Sequence, residues 1–175
     1  MLSDKVTPDD DWIFSRTGIK ERHIAADDQA PSDLGAAAAR KAMEMAGVAA
    51  GNVDLVIVAT GTGDMQFPAT ACIIQELLQL KNAAAFDISA GCTGFVYALS
   101  VGRQFIASGV YQTVLIIGTE VISRVVDWDD PETCILFGDG AGAVVLQPTT
   151  PGYGLLAAKL GADGSGGKHL LMPAG

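Results

Sequence analysis

The residue best placed to do chemistry is Cys92, in the stretch AAFDISAGCTGFVYALSVGRQFIASG that ends at Gly109. An apolar strand turns there into an almost wholly apolar helix. Gly91 and Gly94 flank the thiol, so the backbone can bend sharply and other atoms can come close to the sulfur. A thiol at a helix N-terminus feels the positive end of the macrodipole and the unpaired backbone N–H groups, and both favour thiolate over thiol. The same N–H groups can hold the oxyanion formed when a thiolate attacks a carbonyl, as in strand–turn–helix nucleophile elbows. Acyl transfer is the reaction class this arrangement suits. Position alone leaves a second reading open, a small buried cysteine of the kind common in cores.

Other residues with reactive side chains form no comparable constellation. Cys72 and Cys134 lie on apolar elements and read as core, and three scattered thiols without CxxC or His-rich spacing suggest neither a zinc site nor a disulfide framework. His23 sits in the modest basic cluster RTGIKERH and His169 in the loop-like GSGGKHLLMPAG, so both read as solvated loop residues. GTGDMQF begins like a dinucleotide fingerprint, but Gln66 stands at the third glycine position. GDGAGA (138–143) leads into a strand rather than a helix; its glycines read as close backbone packing near Cys92, and Asp139 as a turn or backbone acceptor.

The elements that must position Cys92 follow from periodicity. PSDLGAAAARKAMEMAGV has a Ser32 or Asp33 cap, an alanine-rich body and Gly47 as a stop. NVDLVIVAT (52–60) is a β-branched run, FPATACIIQELLQL has Pro68 at a helix start, and AAAFDIS and QTVLIIGTE are further strands on either side of helix 93–108. Continuous apolar strands alternating with helices predict a mainly parallel sheet covered on both faces, with the strands near 53–59, 84–88 and 113–118 as neighbours. After the polar loop SRVVDWDDPET, the segments GAGAVVLQP and YGLLAAKLGAD are strand candidates joined by a Pro-Gly turn at 151 and 152, forming an antiparallel extension. Only Arg103 and Gln104 interrupt the apolar or small circumference of helix 93–108, which predicts protein on both of its sides. A single sheet cannot cover both sides, so a second subunit or second half is expected.

Composition narrows the function classes. With 175 residues, 49% hydrophobic and 18% charged, the chain suits one well-buried α/β domain over 1–175. A formal charge of −9 argues against a nucleic-acid partner. No run of about eighteen uncharged apolar residues and no basic, then apolar N-terminus suggests a membrane span or leader, so a cytoplasmic setting is the expectation.

The segments DDWIFSRTGIKERHIA, FPATACIIQ, AFDISAGCTGFVYAL and FGDGAGAVVL together resemble β-ketoacyl-acyl carrier protein synthase III, the initiating condensing enzyme of type II fatty acid synthesis. They run in family order over nearly the whole chain. The resemblance implies the thiolase fold, two similar α/β halves stacked as an αβαβα sandwich and usually dimeric, with this chain as the first half. It implies that Cys92 accepts the acyl group from acyl-CoA, with no cofactor, before condensation with malonyl-acyl carrier protein. The family's catalytic histidine and asparagine belong to the other half, and neither His23 nor His169 falls on that motif. By the same resemblance Trp12 lies against the CoA adenine, Arg16 on its phosphates, and Phe67 caps the acyl pocket of a homodimer neighbour, hinting at a short primer. Two departures stand out. Pro131 in DWDDPETC replaces the arginine often found on the other side of the adenine, and only about ten residues precede DDW, so the domain would lack an inner strand of its sheet. Two further readings are a related thiolase-fold synthase of secondary metabolism and a non-catalytic dimerising fragment.

Overall fold

The computed structural model describes residues 9–172; residues 1–8, on which the reading of a shortened N-terminal segment falls, and 173–175 lie outside it. Five α-helices and four strands follow in the order α1 (Asp10–Thr17), α2 (Pro31–Ala46), β1 (Leu55–Ala59), α3 (Thr70–Leu77), β2 (Ala84–Ile88), α4 (Gly94–Ala107), β3 (Val114–Val121), α5 (Pro131–Cys134) and β4 (Asp139–Leu146). The strands make one mixed sheet in the order β2-β1-β3-β4. β1 pairs in parallel with both β2 and β3, and β4 runs antiparallel to β3. The expected strand neighbours are therefore observed. The described strands pair without interruption from β2 to β4.

Strand alternation sends side chains to opposite faces. Val56 and Val58 of β1, with Leu115 and Ile117 of β3, pack under Ala36, Ala39 and Met43 of α2 and Ala71 and Ile74 of α3. Leu55, Ile57, Val114 and Ile116 point the other way, onto Ala98 of α4. Close approach is bought with glycine on both sides: a Cβ at Gly35 would lie 2.6 Å from Ile74 Cδ1, and one at Gly102 would lie 2.9 Å from Ile116 Cδ1.

Local chemistry explains the helix ends. Pro31 takes the first helical position of α2, where its missing N–H costs nothing, while Asp33 accepts a hydrogen bond from the Ala30 amide at 2.8 Å. Ser32 and Asp33 thus lie inside the first turn rather than at the cap, and Gly47 ends the helix at φ 65° as expected. α3 begins at Thr70, two residues after Pro68, and its first amides at Thr70 and Ala71 both donate at 2.8 Å to the β2 carboxylate of Asp87.

Two sequence expectations fail. Residues 153–163 form no strand, although YGLLAAKLGAD is strand-like in composition; no neighbouring strand pairs with it, and the segment runs over α4 instead. Arg103 Nε donates to the Leu155 carbonyl at 2.8 Å and the Tyr97 hydroxyl to the Gly161 carbonyl at 3.2 Å. Cys72, expected in the core, is exposed on α3, because it falls on the helix flank away from Ala71 and Ile74.

Candidate active site

Cys92 sits in a single 3₁₀ turn, Gly91–Thr93, between the end of β2 and the first residue of α4. The turn needs Gly91, whose φ of 53° a side chain would strain. Gly94 lets α4 start against the sheet, since a Cβ there would lie 3.2 Å from the Ala59 Cβ. The thiol is exposed among the described residues rather than packed in their core.

Cys92 opens on a cleft of about 260 Å³ lined also by Ala59, Phe95, Gly118, Glu120, Gly140 and Gly142. The cleft lies at the carboxyl ends of the parallel strands, where open α/β sheets place their ligands, and antiparallel β4 enters it from its own start. Phe95 lies across β3 at Gly118, where a Cβ would come within 3.3 Å of its ring. A second depression of about 270 Å³, between α4 and the 158–160 segment, is lined by Arg103 and by Ser100, whose hydroxyl donates to the Val96 carbonyl at 2.9 Å.

Carboxylates around the site accept hydrogen bonds that fasten its loops. Glu120 accepts hydrogen bonds from the Gly61 amide at 2.8 Å, the Thr62 amide at 3.0 Å and the Thr62 hydroxyl, which fastens the loop after β1 to the end of β3. Asp64 holds the far side of that loop through the Ser32 hydroxyl at 2.6 Å and the Thr70 hydroxyl at 3.1 Å. Asp139 accepts from the Ala25 amide at 2.7 Å, the Ser123 amide at 2.8 Å and the Ser123 hydroxyl at 2.6 Å. Burial pushes its carboxyl up, but the Ser123 hydroxyl and the two amides outweigh that and hold it below the usual carboxylate range. It is the backbone acceptor that the sequence suggests.

The other sequence-predicted residues gather elsewhere. Trp12 and Arg16 share one face of α1, with the Arg16 guanidinium 4.2 Å from the Trp12 ring centre. Ile13, between them, is buried against Cys134 and Ile135, which ties α1 to α5. Pro131 is the first residue of α5, capped by Asp130. Neither Trp12 nor Arg16 lines the Cys92 cleft; the segment from Cys134 to Gly142 connects their corner to it. Phe67 is 88% exposed in the loop before α3 and is also absent from the lining. His23 and His169 are exposed, as expected, and neither reaches the cleft. Sequence reasoning missed Phe95, Gly118 and Glu120 as lining residues; the only signal for Glu120 was an acidic residue closing an apolar strand. It placed the GDGAGA glycines near Cys92, yet Gly140 and Gly142 face open space instead of packing closely.

Among the described residues, no group of three or more His, Cys, Asp or Glu is placed to hold a metal ion, and no helix is long and apolar enough to cross a membrane.

Residues 86–164 match the family 3-Oxoacyl-[acyl-carrier-protein (ACP)] synthase III. The chain is 53% identical over 174 residues to a Beta-ketoacyl-[acyl-carrier-protein] synthase III of Caldanaerobacter subterraneus, covering 99% of this chain and 53% of the relative. The structure of 3-oxoacyl-(acyl carrier protein) synthase III from Pseudomonas aeruginosa superposes with a TM-score of 0.91 at 43% identity, covering 99% of this chain and 55% of that one. The priming beta-ketosynthase of the R1128 polyketide biosynthetic pathway gives 0.79 at 42% identity, over 81% of this chain and 42% of that one. The thiolase-like α/β fold expected from the sequence is thereby borne out. The chain spans about half the length of the curated relatives it matches.

Proposed function

The chain resembles β-ketoacyl-acyl carrier protein synthase III along nearly all of its length, and from that premise we propose that it carries the nucleophile half of that condensing enzyme. The observation that supports this most directly is the exposed Cys92 thiol at the start of α4, open to a cleft at the carboxyl edge of the sheet. The Cys92 thiolate attacks the thioester carbonyl of acyl-CoA, forming a carbon–sulfur bond while the carbonyl electron pair moves onto oxygen. Amides at the helix terminus stabilise that oxyanion. Collapse breaks the bond to CoA, whose thiolate takes up the proton that Cys92 gave up. Malonyl-acyl carrier protein then loses carbon dioxide, its enolate attacks the acyl carbon, and Cys92 leaves as thiolate.

Trp12 and Arg16 are placed to receive the CoA adenine and phosphates, since an aromatic face and a forked cation already lie together on α1. With Pro131 opposite, one side of that site lacks a guanidinium. Phe67, 88% exposed among the described residues, suits a reach across a homodimer into the neighbour's acyl pocket. A cytoplasmic setting and type II fatty acid synthesis complete the reading. Priming in secondary metabolism is the second reading, favoured by the likeness to the R1128 priming enzyme.

Two measurements test the proposal. Incubation with acetyl-CoA and intact-mass spectrometry should add one acetyl group, lost in Cys92→Ala; acetylation that persists in that variant overturns the assignment. Carbon dioxide release from malonyl-acyl carrier protein should be absent with this chain alone. Losing one oxyanion donor costs about a hundred- to a thousandfold in rate, and the family's histidine and asparagine are both missing from the cleft. Robust release by the chain alone would move the condensation chemistry onto residues such as His23 or His169.

A further inference from the structure

Most glycines near α4 have a mechanical reason to be glycine. A Cβ at Gly94 would press on Ala59, one at Gly102 on Ile116, and one at Gly118 on the Phe95 ring at 3.3 Å. Gly140 and Gly142 have none. Their φ angles lie outside the left-handed region, so any residue could adopt their backbone, and a Cβ at either would meet no atom of the described residues within 4 Å. Both lie inside β4, where glycine weakens a strand and commonly marks close approach by a ligand or another backbone. The register sets Gly142 beside Gly118 and Gly140 beside Glu120, and all four line the cleft with Cys92. At about 260 Å³ the cleft falls just under the roughly 300–1,000 Å³ of sites for drug-sized ligands, a scale suited to a small group on the sulfur.

We propose that Gly140 and Gly142 determine the size of the acyl group that Cys92 accepts, by leaving open the part of the cleft into which that group extends. The inference rests on the acyl-transfer reading of Cys92, and its test separates the two. The chain, Gly142→Ala and the double variant Gly140→Val/Gly142→Val are each incubated with acetyl-CoA, with hexanoyl-CoA, and separately with iodoacetamide and N-phenylmaleimide. Modification of Cys92 is followed by peptide mass spectrometry, with exposed Cys72 as the internal control and a urea midpoint as the check on folding. In the double variant the ratio of hexanoyl to acetyl transfer at Cys92, and of phenylmaleimide to iodoacetamide addition, should fall about tenfold or more; Gly142→Ala should fall between. Equal rates for large and small reagents in variants and parent overturn the proposal, as does parallel slowing at Cys72. If no acyl-CoA modifies the parent while the maleimide still discriminates, the steric role of the glycines stands and the acyl-transfer reading falls.

Discussion

On one face of the sheet α2 and α3 seal a continuous apolar core, in which Ile74, Ala39 and Leu80 have no exposed surface at all. On the other, α4 buries only Gly94, Ala98 and Gly102 and leaves Val96 47% exposed. The first face is finished within the described chain. The second is half covered, and Cys92 lies on it. Its helix nevertheless has the apolar circumference of one packed on both sides. The difference teaches that composition reports the surroundings for which a helix is built, whereas exposure reports those it has, and the gap between them falls where the chemistry is.

Core truncation should break the contrast most directly if it is wrong. Ile74→Ala removes a fully buried side chain and should cost about 2–5 kcal/mol in urea unfolding, whereas Val96→Ala on the open face should stay within about 0.5 kcal/mol. Similar losses from both would mean that the open face is closed in solution by association of the chain. Thiol labelling sharpens the same comparison. Burial pushes the Cys134 thiol up, with the charge of Asp130 adding to it, so its thiolate forms only at more alkaline pH and behind a packed surface. Brief alkylation near neutral pH should label Cys92 ahead of exposed Cys72, and Cys134 slower than either by about tenfold or more. Preferential labelling of Cys72 would remove the special standing of the α4 terminus.

The α1 corner supplies a smaller effect. Trp12→Ala should weaken acyl-CoA binding by on the order of 1 kcal/mol in calorimetric titration while shifting the melting temperature little, because the buried anchor of α1 is Ile13. Equal affinities would mean that Pro131 marks a site rebuilt for another donor. The smallest expected effect is the acid response of Asp139. Its folded carboxyl lies below the ordinary value of about 3.9, so its contribution is fully present above that value and is lost as pH falls through the folded one. The difference in urea midpoint between the parent chain and Asp139→Asn should therefore narrow as the pH is lowered from about 6 through the folded value of Asp139. A constant difference would assign Asp139 a role independent of its charge.

Much of this arrangement is legible in the residues. β1 and β3 are continuous β-branched runs because both of their faces are buried, and that pattern survives without any knowledge of neighbours. Cys92 is legible because a strand, a glycine and an apolar helix meet around it. Residues 153–163 mislead because strand composition says nothing about whether an edge is available, and Cys72 misleads because an apolar helix hides a one-sided burial. The cleft escaped because its lining comes from β1, β3, β4 and α4 at once, and a glycine kept for packing is spelled like one kept for space.

Asp139 also governs how this chain tolerates changes in length. Strand side chains alternate faces, so sliding β4 by one residue along β3 would replace Gly140 and Gly142 by Ala141 and Ala143 on the Cys92 side and turn Val144 inward. The 17 residues between Val121 and Asp139 would be the natural place for such a slip to start. Asp139 fixes the phase at the first residue of the strand, through Ser123 at one end of that connection and Ala25 from a different part of the chain. Insertions or deletions in that connection that spare α5 and the buried Cys134 and Ile135 are then taken up before the strand begins, and the alternation beyond them keeps its beat.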